Sequence, residues 1–340
     1  MIRNLPETVK IMTKENGNIS DYQLTRYEGN PIITPEDFPG AMAVFNPGQT
    51  MMGDETILLV SIIHRSGKYR GIEGATSHVA RSHDGINFQI DPEPFINPTN
   101  LEPYRWLDVH LIDTRITYLD GWYYIIHPSA HPIWGTFGII GRTKDFKNHE
   151  YMDVISLPDN RVPCLFPEKI NGFYYRLDRP YRVVPNEHHT DGNIWLARSP
   201  DLIHWGHFRP LLRPGFAPWA QTKIGPTPPI RTKKGWLVII HGVAQSCAGY
   251  RYCLGAMLLD LENPERIIGL VRGSILSPDT EYERTGVVPN VVFACGAIAD
   301  NDKDQIRIYY GAADTCICLA TGSLSKLVEA CLADGPAVQR

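Results

Sequence analysis

Asp113-Thr114-Arg115 interrupts an apolar stretch, with Leu111-Ile112 before it and Ile116-Thr117-Tyr118 after it. A carboxylate among apolar neighbours can have its pKa raised and act as an acid. The same carboxylate held by Arg115 would be a structural ion pair, and the residues alone weigh the two readings about equally. Basic groups follow: Arg161 and Arg179 flank the segment around Phe166-Pro167-Glu168-Lys169-Ile170, Lys223 and His241 flank the start of the next β-rich unit, and Tyr252 comes soon after. Guanidinium forks match tetrahedral anions and tolerate desolvation, so these groups converging on one channel would make an oxyanion site. Taken singly, each is more ordinarily a surface charge or an internal ion pair. The sequence has no Gly-rich phosphate loop, no Gly-x-Ser-x-Gly and no His-Glu-x-x-His, which disfavours a nucleotide-type site and serine or zinc hydrolysis.

The elements that must position these groups repeat. A polar turn leads into a β-rich run at Gly53–Val60, Asp120–Ile125, Asn171–Tyr175, Lys234–Ile239 and Gln305–Tyr310. A second, Asp-centred turn recurs around Asp84, Asp145, Asp201 and Asp260, a period near 60 residues. Runs of Tyr, Val, Ile and Trp between Gly/Pro/Asn/Asp turns read as all-β, and five such units predict a five-bladed β-propeller with a central channel. A pair of β-sandwiches with similar turns is the simpler alternative. Helical signal is confined to Thr321–Ala330, with Ser323 as a plausible cap. The expected organisation is one propeller catalytic domain over 1–340, with a short N-terminal extension and a helix-capable tail.

At 340 residues and 43% hydrophobic composition, the chain is long and apolar enough for a large core. A net charge of −4 provides no broad basic field, so neither nucleic acid nor membrane is an expected partner and a small molecule is favoured. The start at Met1–Glu7 has no apolar signal region and no run of 18 apolar residues occurs, so a cytoplasmic protein is expected. The seven cysteines form an odd set without a CxxC pair and read as buried thiols, with Cys316 and Cys318 on one strand face as core fillers. The seven tryptophans suit sugar stacking and core packing equally, with Trp205 and Trp236 placed in the core.

The chain resembles glycoside hydrolase family 130, the inverting β-mannoside phosphorylases and related mannosidases. The likeness covers nearly all of it: Arg26–Ile33, Ile112–Ile116, Leu165–Gly172, Thr222–Gly225, His241-Gly242-Val243, Val288–Phe293 and Ile308–Thr315. The resemblance implies that Asp113 protonates the leaving glycosidic oxygen through the sugar's 3-hydroxyl. It also implies that Arg161, Arg179, Lys223, His241 and Tyr252 hold phosphate as the attacker, and that Asn46, Arg65 and Asp314, with His189 in the Glu187–Gly192 loop, hold the sugar. Inorganic phosphate would be co-substrate, with no metal or other cofactor, and a homo-oligomer is open. The family's hydrolases lose much of the basic set, which tips the expectation toward phosphorolysis. Ile112, Glu168 and the Glu187–Gly192 loop depart from the β-1,4-specific pattern of Tyr, Arg and Gly-His-Thr. They leave β-1,2 and β-1,4 linkages, and mannobiose, longer manno-oligosaccharide or mannosylglucose substrates, all open. The alternatives are an inverting β-mannosidase with Glu168 or another carboxylate as base, and a non-catalytic sugar-binding propeller.

Overall fold

The computed structural model describes residues 22–65, 71–96, 111–131, 133–183 and 190–336. Its strands form five antiparallel blades, each running from the channel outward. Blade 1 is Ala41–Met52, Glu55–His64, Gly71–Ser82 and Gln89–Ile90; blade 2 is Arg115–Leu119, Trp122–His131, Gly135–Thr143 and Glu150–Val154. Blade 3 is Asn160–Leu165, Tyr174–Val183, Ile194–Ser199 and Gly206–Leu212. In blade 4 a broken inner strand, Lys223–Pro226 and Ile230–Arg231, precedes Trp236–Ser246, Gly249–Leu259 and Ile267–Leu270. Blade 5 starts from Val292–Ala294 and Ile298–Asp300, continues through Gln305–Ala312 and Cys316–Ser323, and takes its outer strand, Thr25–Arg26, from the other end of the chain. The five repeated runs seen in the sequence are the second strands of the five blades.

Those strands are apolar on both faces because each blade is sandwiched between two others. Ile57 and Leu59 pack toward blade 2, while Leu58 and Val60 pack toward blade 5. Trp236 and Val238 pack toward blade 3, while Leu237 and Ile239 pack toward blade 5. Period-two alternation thus fills two different cores, and the strand reads as a continuous apolar run. The recurring aspartates share one local device. Asp84, Asp145, Asp201 and Asp260 each accept, on one carboxylate oxygen, the backbone N–H groups two and three residues ahead. These bonds hold all four carboxyls below the ordinary range. In blade 5 a helix, Leu324–Asp334, takes the place of that turn, with the Ser323 hydroxyl accepting from the Lys326 N–H as its cap. Its buried Leu324, Leu327, Val328 and Cys331 follow helical spacing into the core between blades 4 and 5. Cys316 and Cys318 lie in that same core; six cysteines are buried and Cys247 is exposed.

The ring is locked where the ends of the chain meet. Glu283, fully buried, accepts from Arg26 Nε at 2.8 Å and Nη2 at 2.9 Å, from the Tyr310 hydroxyl at 2.8 Å, and from the N–H groups of Asp279 and Thr280. Removing the cation would leave a buried carboxylate without its counter-charge, a change that costs about 3–5 kcal/mol. Arg26→Met is therefore expected to lower the urea midpoint by the equivalent of about 3–5 kcal/mol. An unchanged midpoint would show that the closure does not depend on this pair.

Candidate active site

Three short polar residues converge from three blades. Asn46 lies in the inner strand of blade 1, Asp113 just before that of blade 2, and Asp314 in the turn between the second and third strands of blade 5. The Asn46 amide donates to Asp113 Oδ1 at 2.8 Å and to Asp314 Oδ1 at 3.3 Å. All three have left-handed backbones, with φ of 44°, 57° and 47°, a conformation that Asn and Asp adopt at modest cost and that collects at functional sites. Arg115 does not pair with the Asp113 carboxylate. Its guanidinium donates to the Asp113 backbone carbonyl and lies 5.6 Å from the centre of the Phe293 ring. The two carboxylates are left facing each other across one amide, and burial followed by the charge of Asp113 pushes Asp314 up to about 7.

The opposite wall is cationic. Arg161 and Arg179 are cross-strand partners in blade 3, a placement that like charges disfavour. The ladder then shifts register between Arg161 and Cys164, and Val162 takes φ 56°, strained for a β-branched residue. In blade 4, Lys223 stands across from Val243 and Val243 across from Tyr252, which sets the Lys223 ammonium 4.8 Å from the Tyr252 ring centre. Burial first, then Arg179 and Arg161, lowers Lys223 to about 7, and burial pushes the Tyr252 phenol up. Arg179 is 4% exposed, and burial lowers it below the ordinary guanidinium value. Among the described residues none of Arg161, Arg179 and Lys223 forms an ion pair. Gly225 permits this packing, since a Cβ there would collide with the His241 ring and come within 3.1 Å of Arg179 Nη1.

These groups border one cavity of about 190 Å³, lined by Asn46, Asp113, Asp314, Arg161, Arg179, Lys223 and Tyr252, with Ile112, Tyr181, Val288, Val291 and Phe293. Of the site residues expected from the sequence, His241 lies buried behind Arg179, which donates to its Nε2 at 2.7 Å. Arg65 is exposed at the end of its strand, with Nε donating to the Ala41 carbonyl, and does not line the cavity. His189 falls outside the described residues, as does Trp106. Tyr181 was not singled out by the sequence; its signal is the two-residue spacing from Arg179 on one strand. A larger cleft of about 630 Å³ between blades 2 and 3 has aromatic walls; its Arg176 and Asp178 are paired with each other at 2.8 Å, and its remaining charged residue, Asp159, accepts from the Thr136 N–H at 3.0 Å. Among the described residues no cluster of His, Cys, Asp and Glu could hold a metal, and no helix is long and apolar enough to cross a membrane.

A family model described as beta-1,4-mannooligosaccharide phosphorylase matches residues 16–332. The chain belongs to glycoside hydrolase family 130. Within family 130, it is 33% identical over 309 residues to a beta-1,4-mannooligosaccharide phosphorylase of Ruminococcus albus, covering 89% of each chain. It is 32% identical to a beta-1,2-mannobiose phosphorylase of Listeria innocua, covering 89% of this chain and 97% of the relative. The solved structure of a Listeria innocua β-1,2-mannobiose phosphorylase with β-1,2-mannobiose superposes with a TM-score of 0.79 at 30% identity, over 91% of this chain and 99% of that one.

The lowered Lys223 gives the cationic wall a pH dependence of known sign. The ammonium is present below its pKa of about 7 and lost above it, so the affinity for a tetrahedral anion of constant charge, such as sulfate, should fall as pH rises through about 7. Lys223→Arg, charged throughout, should hold its affinity to higher pH in calorimetric titrations. Parallel pH profiles for the two proteins would remove Lys223 from the effect.

Proposed function

We propose that this family 130 protein cleaves β-mannosides with inorganic phosphate, with inversion, to release α-D-mannose 1-phosphate and a shortened acceptor. The observation that carries the reading is the division of charge across one cavity. Carboxylates from blades 2 and 5 stand on one side, and three cations from blades 3 and 4, without ion-pair partners among the described residues, stand on the other. An inverting displacement needs this division, with an acid at the leaving oxygen and a nucleophile held at the opposite face of the sugar.

In this reading Asp113, oriented by Asn46, gives its proton through the sugar's 3-hydroxyl to the glycosidic oxygen as the bond to C1 breaks. A phosphate oxygen forms the new bond to C1 from the far side. The proton that Asp113 loses is matched by the one hydrogen phosphate sheds on becoming an ester dianion. Arg161, Arg179, Lys223 and Tyr252 hold the phosphate, and Asn46 and Asp314 hold the mannosyl unit, with Arg65 and His189 assigned to it by resemblance. No metal or further cofactor takes part. Hydrolysis would need a carboxylate to activate water, and Glu168 is engaged elsewhere: it pairs with Arg231 at 2.8 Å on the exposed side and does not line the cavity.

The deciding measurement is mannose 1-phosphate release from β-1,2-mannobiose, β-1,4-mannobiose and mannosylglucose, with and without inorganic phosphate. Phosphate-dependent release is expected, and the preferred disaccharide gives the linkage; free mannose at equal rates without phosphate would make the protein a hydrolase. Asp113→Asn should abolish turnover, whereas a sugar-binding propeller would have no turnover to lose. Arg179→Ala should raise KM for phosphate at least about tenfold more than KM for the mannoside, because a charge-assisted contact to a dianion is lost. Equal effects on both would count against the anion site.

A further inference from the structure

Arg179 is held at both ends of its fork. A guanidinium only donates, so the 2.7 Å contact from Nη1 to His241 Nε2 requires that ring nitrogen to be an acceptor, with the proton on Nδ1. Burial and the facing Arg179, Arg115, Lys223 and Arg161 hold His241 well below its ordinary pKa, which agrees with a neutral ring. At the other end Nη2 donates to the Tyr181 hydroxyl oxygen at 2.6 Å, and the guanidinium carbon lies 4.9 Å from the centre of that ring. An oxygen that accepts from Arg179 keeps its own O–H to give away. Tyr181 lines the cavity with Arg161, Lys223 and Tyr252. Its register explains why: Tyr181 pairs with Gly192, Gly192 with Lys223, Lys223 with Val243 and Val243 with Tyr252, so one row of partners crosses from blade 3 to blade 4.

We propose that Tyr181 is a further oxyanion-site residue, whose oxygen fixes the Arg179 guanidinium and whose O–H donates to an oxygen of bound phosphate, while His241 positions Arg179 from behind. The proposal rests on the phosphorolysis reading and adds a group to its nucleophile site. Tyr181 also borders the cleft between blades 2 and 3, so Tyr181→Phe, which keeps the ring and removes only the hydroxyl, is the informative variant.

The test is steady-state kinetics of wild type and Tyr181→Phe with inorganic phosphate and the preferred β-mannoside, together with calorimetric titration of inorganic phosphate in the absence of sugar. The expected result is a rise of about 5- to 20-fold in KM and Kd for phosphate, with KM for the mannoside within about twofold. Phosphate constants within twofold of wild type, or equal rises for both substrates, would overturn the assignment of Tyr181 while leaving phosphorolysis intact. A wild-type enzyme that turns over without phosphate and binds none would instead overturn the reading on which the assignment rests.

Discussion

Every blade of this protein is apolar on both faces, and a sheet of that kind is stable in water only when both faces are covered. Five such sheets cover one another if the last meets the first, so closure of the ring is the condition on which the other contacts depend. The chain meets it by sending Thr25–Arg26 to the outer edge of blade 5, where Arg26 is gripped by a carboxylate with no exposure to water. The lock is electrostatic and sits beside a further carboxylate, Asp279, 4.0 Å from Arg26. Its desolvation is offset because Glu283 gathers five donors from Arg26, Tyr310, Asp279 and Thr280.

Closure also creates the site. Short polar residues reach the channel from one side of the ring and long basic and phenolic ones from the other. Blades 1, 2 and 5 provide an amide and two carboxylates; blades 3 and 4 provide the guanidinium, ammonium, imidazole and phenol groups. Opposite charges on facing walls are attracted, but like charges within each wall repel. Burial first, and that repulsion second, lower Lys223 and raise Asp314, two groups poised near neutrality. Left-handed backbones at Asn46, Asp113 and Asp314 and the bulge after Arg161 are the local distortions through which the scaffold aims these side chains.

Arg179 shows how a cation can be kept in a desolvated place without a counter-ion of its own. It is fixed by two neutral acceptors, an imidazole nitrogen and a phenol oxygen, which orient the fork while leaving its charge uncompensated. Under the phosphorolysis proposal, that uncompensated charge is what an incoming phosphate dianion meets.

The amino-acid sequence determined what is local. The Asp-centred turns are made by bonds two and three residues ahead, the apolar runs follow the strand period, and the Ser323 cap sits at the start of its helix, so all were legible one segment at a time. The family motifs were equally legible, and they brought Asp113, Arg161, Arg179, Lys223 and Tyr252 forward as one set. The rest was decided only by the tertiary structure. Asn46 reaches Asp113 across 67 positions and Asp314 across 268, and Arg179 reaches His241 across 62. Whether Arg115 would claim the Asp113 carboxylate, whether His241 would line the cavity or stand behind it, and whether Tyr181 would enter it all depend on which blade faces which. The physical reason is that a hydrogen bond is set by distances of about 3 Å, and for residues on different blades those distances exist only once the ring has closed.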